Sequence, residues 1–155
     1  MKIGNNLLLN DCIKSDTAIK LGIDNTPLIE HIDALKILAK KIYDPLCKEY
    51  NMRIPITSMY RSQELNKKIG GSKTSQHCRG EAVDLDFDQI KSNYTNANLF
   101  EYIKENLIFD QLIWEFGNDK NPDWVHVSYA KNGNNRKMIM KAIKTVKNKT
   151  QYIYL

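Results

Sequence analysis

Leu28, Ile32, Leu35, Leu38, Ile42 and Leu46 recur every three or four positions, the spacing of one buried helix face. Thr26 as N-cap, Pro27 at the first helical position and Glu30 in the first turn predict where that helix starts. Pro45 predicts a kink or a stop near its end. Arg53 to Ser58 reads as a short extended segment and Arg61 to Lys68 as a second short helix. After a loop over Ile69 to Ser75, which contains Gly70 and Gly71, the period of the pattern drops to two. In Glu81 to Phe87 the alternation sets Val83, Leu85 and Phe87 on one face and Ala82, Asp84 and Asp86 on the other, so two acids share the face turned from the core. A helix is predicted over Tyr94 to Asn106. A strand follows over Phe109 to Phe116, with Leu112, Trp114 and Phe116 on one face, and another over Trp124 to Tyr129. Arg136 to Lys144 and Gln151 to Leu155 read as closing strands. Strands gather after residue 80 without strand–helix–strand alternation, which predicts an α+β fold.

A chain of 155 residues at 18.0 kDa is the size of a single domain, expected here over residues 1–155, and buries a core without disulfide staples. No apolar run approaches the roughly eighteen residues of a membrane span. The first eleven residues hold only a three-leucine apolar patch, too short for the core of a secretory signal, so synthesis in the cytoplasm without a signal peptide is expected. Cys12, Cys47 and Cys78 are odd in number and lack a C-x-x-C pairing, which predicts reduced, packed thiols.

The net charge of +5 matters through its distribution. From Trp124 onward there are seven Lys or Arg and no acid, so all 18 acidic residues lie in the first 123 positions. A basic C-terminal segment suits nucleic acid in principle. It carries only one arginine, Arg136, and the alternative is a solvated lysine face or attraction to a polyanion such as a bacterial wall.

Two of the three histidines sit beside loop-to-strand junctions: His77 in Ser75-Gln-His-Cys-Arg-Gly-Glu-Ala-Val-Asp84, and His126 in Asp123-Trp-Val-His126. His77, Asp84 and His126 make two imidazoles and a carboxylate, a set that leaves the fourth position of a tetrahedral Zn²⁺ open, as a catalytic site requires. Gly80 lets the backbone turn between the first two. Spacing alone leaves two readings open, a shared metal or separately satisfied structural histidines. His31 reads as a boundary residue of the first long helix.

Taken together, Ser58-Met-Tyr-Arg61-Ser62, Gly70-Gly71, Ser75-x-His77-x-x-Gly80-x-Ala82-x-Asp84 and Asp123-x-x-His126 resemble the zinc D-alanyl-D-alanine carboxypeptidase family, which includes D,D-dipeptidases and phage L-alanyl-D-glutamate endopeptidases. The resemblance extends from Ser15 to Pro27, through Phe109 to Glu115, to the closing strands after Arg136. It implies an antiparallel sheet flanked by helices, of the Hedgehog/D,D-peptidase type, with one zinc in a cleft on the sheet. It implies His77, Asp84 and His126 as metal ligands, Asp123 as general base and Arg61 as the group that polarises the scissile carbonyl. Many relatives carry Glu where this chain has Asp123, and Glu115 is the reserve candidate for the base. Ser75 and Tyr60 are implied as weaker substrate-side or supporting residues.

The expected activity is therefore zinc-dependent hydrolysis of peptidoglycan peptides, either as a carboxypeptidase or as a stem-peptide or cross-link endopeptidase. A monomer without nucleic acid or stable membrane association is expected, acting on the wall after assisted release or carried in a phage virion. The competing classes are a zinc-containing wall-binding module without hydrolytic activity and a basic nucleic-acid-binding protein.

Overall fold

The computed structural model describes residues 1–155. Two short helices, α1 (Leu9–Ile13) and α2 (Asp16–Leu21), precede α3 (Ile29–Leu38), a π-helical turn (Ala39–Tyr43) and α4 (Asp44–Glu49). Strand β1 (Ile56–Ser58), helix α5 (Gln63–Lys68) and a 3-10 turn (Gln76–Arg79) lead into β2 (Ala82–Leu85). A second 3-10 turn (Phe87–Gln89) and α6 (Asn96–Asn106) come before β3 (Gln111–Glu115), β4 (Trp124–Ser128), β5 (Met138–Lys144) and β6 (Thr150–Tyr154).

The long amphipathic helix exists, with its start and its proline handled differently from expectation. It begins after Leu28, whose backbone N–H donates to His31 Nδ1 at 3.3 Å, so Leu28 lies outside the helix and is exposed. Pro45 sits in the first turn of α4. The widened π turn immediately before it absorbs the missing N–H and ring clash that would otherwise break the helix. That turn is tied down by Tyr43, whose buried hydroxyl donates to Ile54 O at 2.8 Å, joining the helix to the segment entering β1.

The six strands form one sheet in the order β1-β2-β4-β3-β5-β6. All neighbours are antiparallel except β3 and β5, a departure from the all-antiparallel expectation. Its cause is positional. β4 runs antiparallel to β3 and ends where β3 begins, so a strand entered by the short 129–137 connection on the far side of β3 must run with β3.

Alternation divides the sheet's two faces. Val83, Leu85, Leu112, Trp114, Val125 and Val127 join Leu35, Leu38, Ile42, Tyr43 and Leu46 in one core cluster, each such side chain contributing about 1.5–3 kcal/mol on burial. The opposite face carries a cross-strand row in which Asp84 pairs with His126, His126 with Ile113, and Ile113 with Met140. Phe116 breaks the predicted pattern. Its φ of 54° turns the chain at the end of β3, and the ring packs beside Ile113, Met140 and Ala142 on the row's face. No helix is long and apolar enough to cross a membrane.

Candidate metal centre and active site

His77, Asp84 and His126 reach one point from three different elements. The 3-10 turn ends at Gly80 with φ 71°, where an added Cβ would stand 2.6 Å from His31 O, so only glycine allows the turn to pack on α3. This turn sends His77 inward. Asp84 and His126 face each other from paired positions of β2 and β4.

The donor atoms are His77 Nε2, Asp84 Oδ1 and His126 Nδ1. Their separations are 3.3 Å between His77 and Asp84, 2.8 Å between His126 and Asp84, and 3.3 Å between the two rings. Bonds of about 2.0–2.1 Å to a tetrahedral Zn²⁺ set ligand atoms roughly 3.3 Å apart. All three side chains are buried, and the group could hold a metal ion. His77 Nδ1 lies 2.6 Å from Met59 O. A carbonyl only accepts, so Nδ1 carries the proton and Nε2 offers its lone pair to the site. Burial pushes the His77 pKa down and keeps the ring neutral, as a ligand must be.

Arg61 Nη2 donates to Asp84 Oδ2 at 2.8 Å and its Nε to Ser58 Oγ at 2.7 Å. The segment that carries it is clamped by buried Asn25, whose Nδ2 donates to Tyr60 O at 3.2 Å while its Oδ1 accepts from Ser62 N at 2.7 Å. The guanidinium thus fixes Asp84 Oδ2 while Arg61 lines the cleft.

Glu115 shares the ligands' face. It pairs with Trp124 while Ile113 pairs with His126, which places it diagonally beside His126 at roughly 7 Å. Burial pushes its carboxyl up to about 7, against the opposing pull of His126, Arg61 and Lys144. Asp123 stands elsewhere. It lies in the bend just before β4, outside the strand alternation that places His126. Its backbone N–H donates to Glu115 O at 2.9 Å and its carbonyl accepts from Asn96 Nδ2 at 3.1 Å. Its side chain is exposed and does not line the cleft.

That cleft has a volume of about 900 Å³. One wall is the loop from Ile69 to Gln76, including Ser75; the other is the β5–β6 hairpin with Met138, Lys144 and Tyr152. Tyr60 is in the core, its ring 5.3 Å from that of His31, and forms no part of the wall. The sequence predicts the hairpin's two strands but not their place on the cleft wall, and it does not single out Asn25. Period-two positions Met138, Met140, Ala142 and Lys144 carry the signal for the hairpin; for Asn25 no local signal exists.

A family model described as Peptidase M15 matches residues 5–128. The chain belongs to the Peptidase M15 family. No curated protein matches it significantly. Membership makes the chain a peptidase by descent, in agreement with the resemblance drawn from its motifs. The M15 match covers every residue that converges on the metal point and stops short of the β5–β6 hairpin.

Proposed function

We propose that the protein is a zinc peptidase that hydrolyses bacterial cell-wall peptides, with His77, Asp84 and His126 as the ligands and Glu115 as the general base. The observation that carries this reading is the buried His–Asp–His group with the buried carboxylate of Glu115 on the same sheet face. Zinc, when bound, supplies Lewis-acid polarisation and a more acidic water. Glu115 takes the proton of the attacking water and returns it to the leaving amine. Arg61 holds Asp84 in place and turns its free guanidinium edge toward the scissile carbonyl, where negative charge develops. Ser75 offers a hydroxyl on the loop wall.

Asp123 is the alternative base, favoured by its place in the family motif. Its exposed side chain, outside the cleft lining, weighs against it. Replacing Glu115 by Gln should lower kcat by about a hundredfold or more with zinc retained at one per chain, whereas Asp123→Asn should leave kcat within a few fold. The reverse result transfers the role to Asp123. Mass spectrometry of wall fragments, with added zinc and with a chelator, reads the bond: loss of one terminal D-Ala marks a carboxypeptidase, and opened cross-links or released stem peptides mark an endopeptidase. A zinc-loaded protein that yields no product is a wall-binding module. A phage lysis or virion role belongs to the same proposal and follows the endopeptidase outcome.

A further inference from the structure

The β5–β6 hairpin lies beyond residue 128, where the family match ends, yet it forms a whole wall of the cleft. The ligands and Glu115 belong to the shared part of the chain, so what the hairpin adds bears on which peptide is accepted. Four cationic side chains line the cleft: Arg61, Arg79, Arg136 and Lys144. Three are committed to acids. Arg61 Nη2 meets Asp84 Oδ2 at 2.8 Å, Arg79 Nε meets Glu81 Oε2 at 2.7 Å, and Arg136 Nη2 meets Asp110 Oδ2 at 2.6 Å.

Lys144 forms no salt bridge, although its charge reaches the Glu115 carboxylate on the same face. Its ammonium donates to Thr150 Oγ1 at 3.2 Å and stands 4.8 Å from the centroid of the Phe116 ring. Both contacts aim the charge and neither neutralises it. Its position relative to the chemistry follows from the strand register. Glu115 pairs with Ala142, and Lys144 is the next residue of β5 on that same face, one same-face step of about 7 Å farther along the strand. Tyr152 pairs with Ala142 from the other side and flanks the same stretch of cleft.

We propose that Lys144 binds a carboxylate of the peptide substrate. An extended chain covers about 7 Å in two residues, so the carboxylate stands one or two residues from the bond that is cut. A single ammonium without an arginine fork beside it suits a lone carboxylate better than a phosphate, which is bound by several converging donors. The inference rests on the peptidase reading of this cleft, and its test separates the two.

The probes are two fluorescein-labelled wall-type peptides of one sequence, one with a free carboxylate two residues from the scissile bond and one with a carboxamide there. Their dissociation constants are measured by fluorescence polarisation on zinc-loaded Glu115→Gln protein, in which turnover is suppressed, and on the same protein carrying Lys144→Met or Lys144→Arg. The expected result is that Lys144→Met weakens the carboxylate peptide by about tenfold, the scale of one charge-assisted hydrogen bond, and leaves the carboxamide peptide unchanged. Lys144→Arg should restore the difference, and raising the salt concentration should shrink it. Equal binding of both peptides by the Lys144 protein, or equal weakening of both by Lys144→Met, overturns the Lys144 assignment and leaves the peptidase reading standing. Protein that binds neither peptide, and whose Glu115 form cleaves neither, overturns both.

Discussion

The metal point rests on a few single atoms. His77 is oriented by one carbonyl, that of Met59, and Asp84 divides its two oxygens between His126 and Arg61. Replacing His77 by Ala should remove zinc from the site along with activity; equilibrium dialysis that still finds one zinc per chain would sink the ligand assignment. These residues were legible in the sequence because they stand in a short motif with fixed spacing. The base was not. Asp123 is nearer the motif in sequence, but its side chain is exposed outside the cleft lining, while Glu115 arrives from the neighbouring strand at a position diagonal to His126. Distance along the chain carries no information on which face of a sheet a side chain takes, and cross-strand register is not a local property.

Among the elements, the 3-10 turn between His77 and Gly80 has the least freedom. A methyl group on Gly80 combines a left-handed backbone with contact on His31 O, so Gly80→Ala should cost at least about 2 kcal/mol and weaken zinc binding. Urea unfolding and metal titration check the two effects, and a variant as stable as the parent would show that the turn relaxes. Strands β2 and β3 were legible from alternation and α3 from periodicity, although its start lies after Leu28 and not after the Thr26 cap that the sequence suggests. What escaped is explained by geometry beyond the local pattern. The π turn lets the long helix pass Pro45, the left-handed Phe116 swings its ring to the metal face, and the parallel pairing of β3 with β5 depends on where β4 ends.

At the scale of the molecule, the second half is joined to the loop wall by a buried acid. Asp110 accepts from Arg136 Nη2 at 2.6 Å and from Gln76 Nε2 at 3.0 Å, and its side chain is only 3% exposed. The Arg136 hydrogen bonds hold its carboxyl below the usual carboxylate range. A pKa lower in the folded than in the unfolded chain contributes stability above the unfolded value of about 3.9 and loses it as pH falls through the folded one. Asp110→Asn should therefore cost about 1–3 kcal/mol at pH 7 and much less at pH 3, read from urea unfolding at both; an equal loss at the two pH values would show that shape and not charge is at stake. The basic C-terminal segment from Trp124 onward places Arg136 and Lys144 on the cleft wall.

β4 serves two masters in strict turn: Val125 and Val127 belong to the core, Trp124 and His126 to the cleft. Substitutions on one side of that strand can alter chemistry while leaving the packing on the other side intact, which lets a lineage change its substrate without rebuilding its fold. A one-residue insertion or deletion within β4 would instead exchange the two roles, burying an imidazole among leucines and lining the cleft with valine. The strand can vary its letters, but its length is fixed.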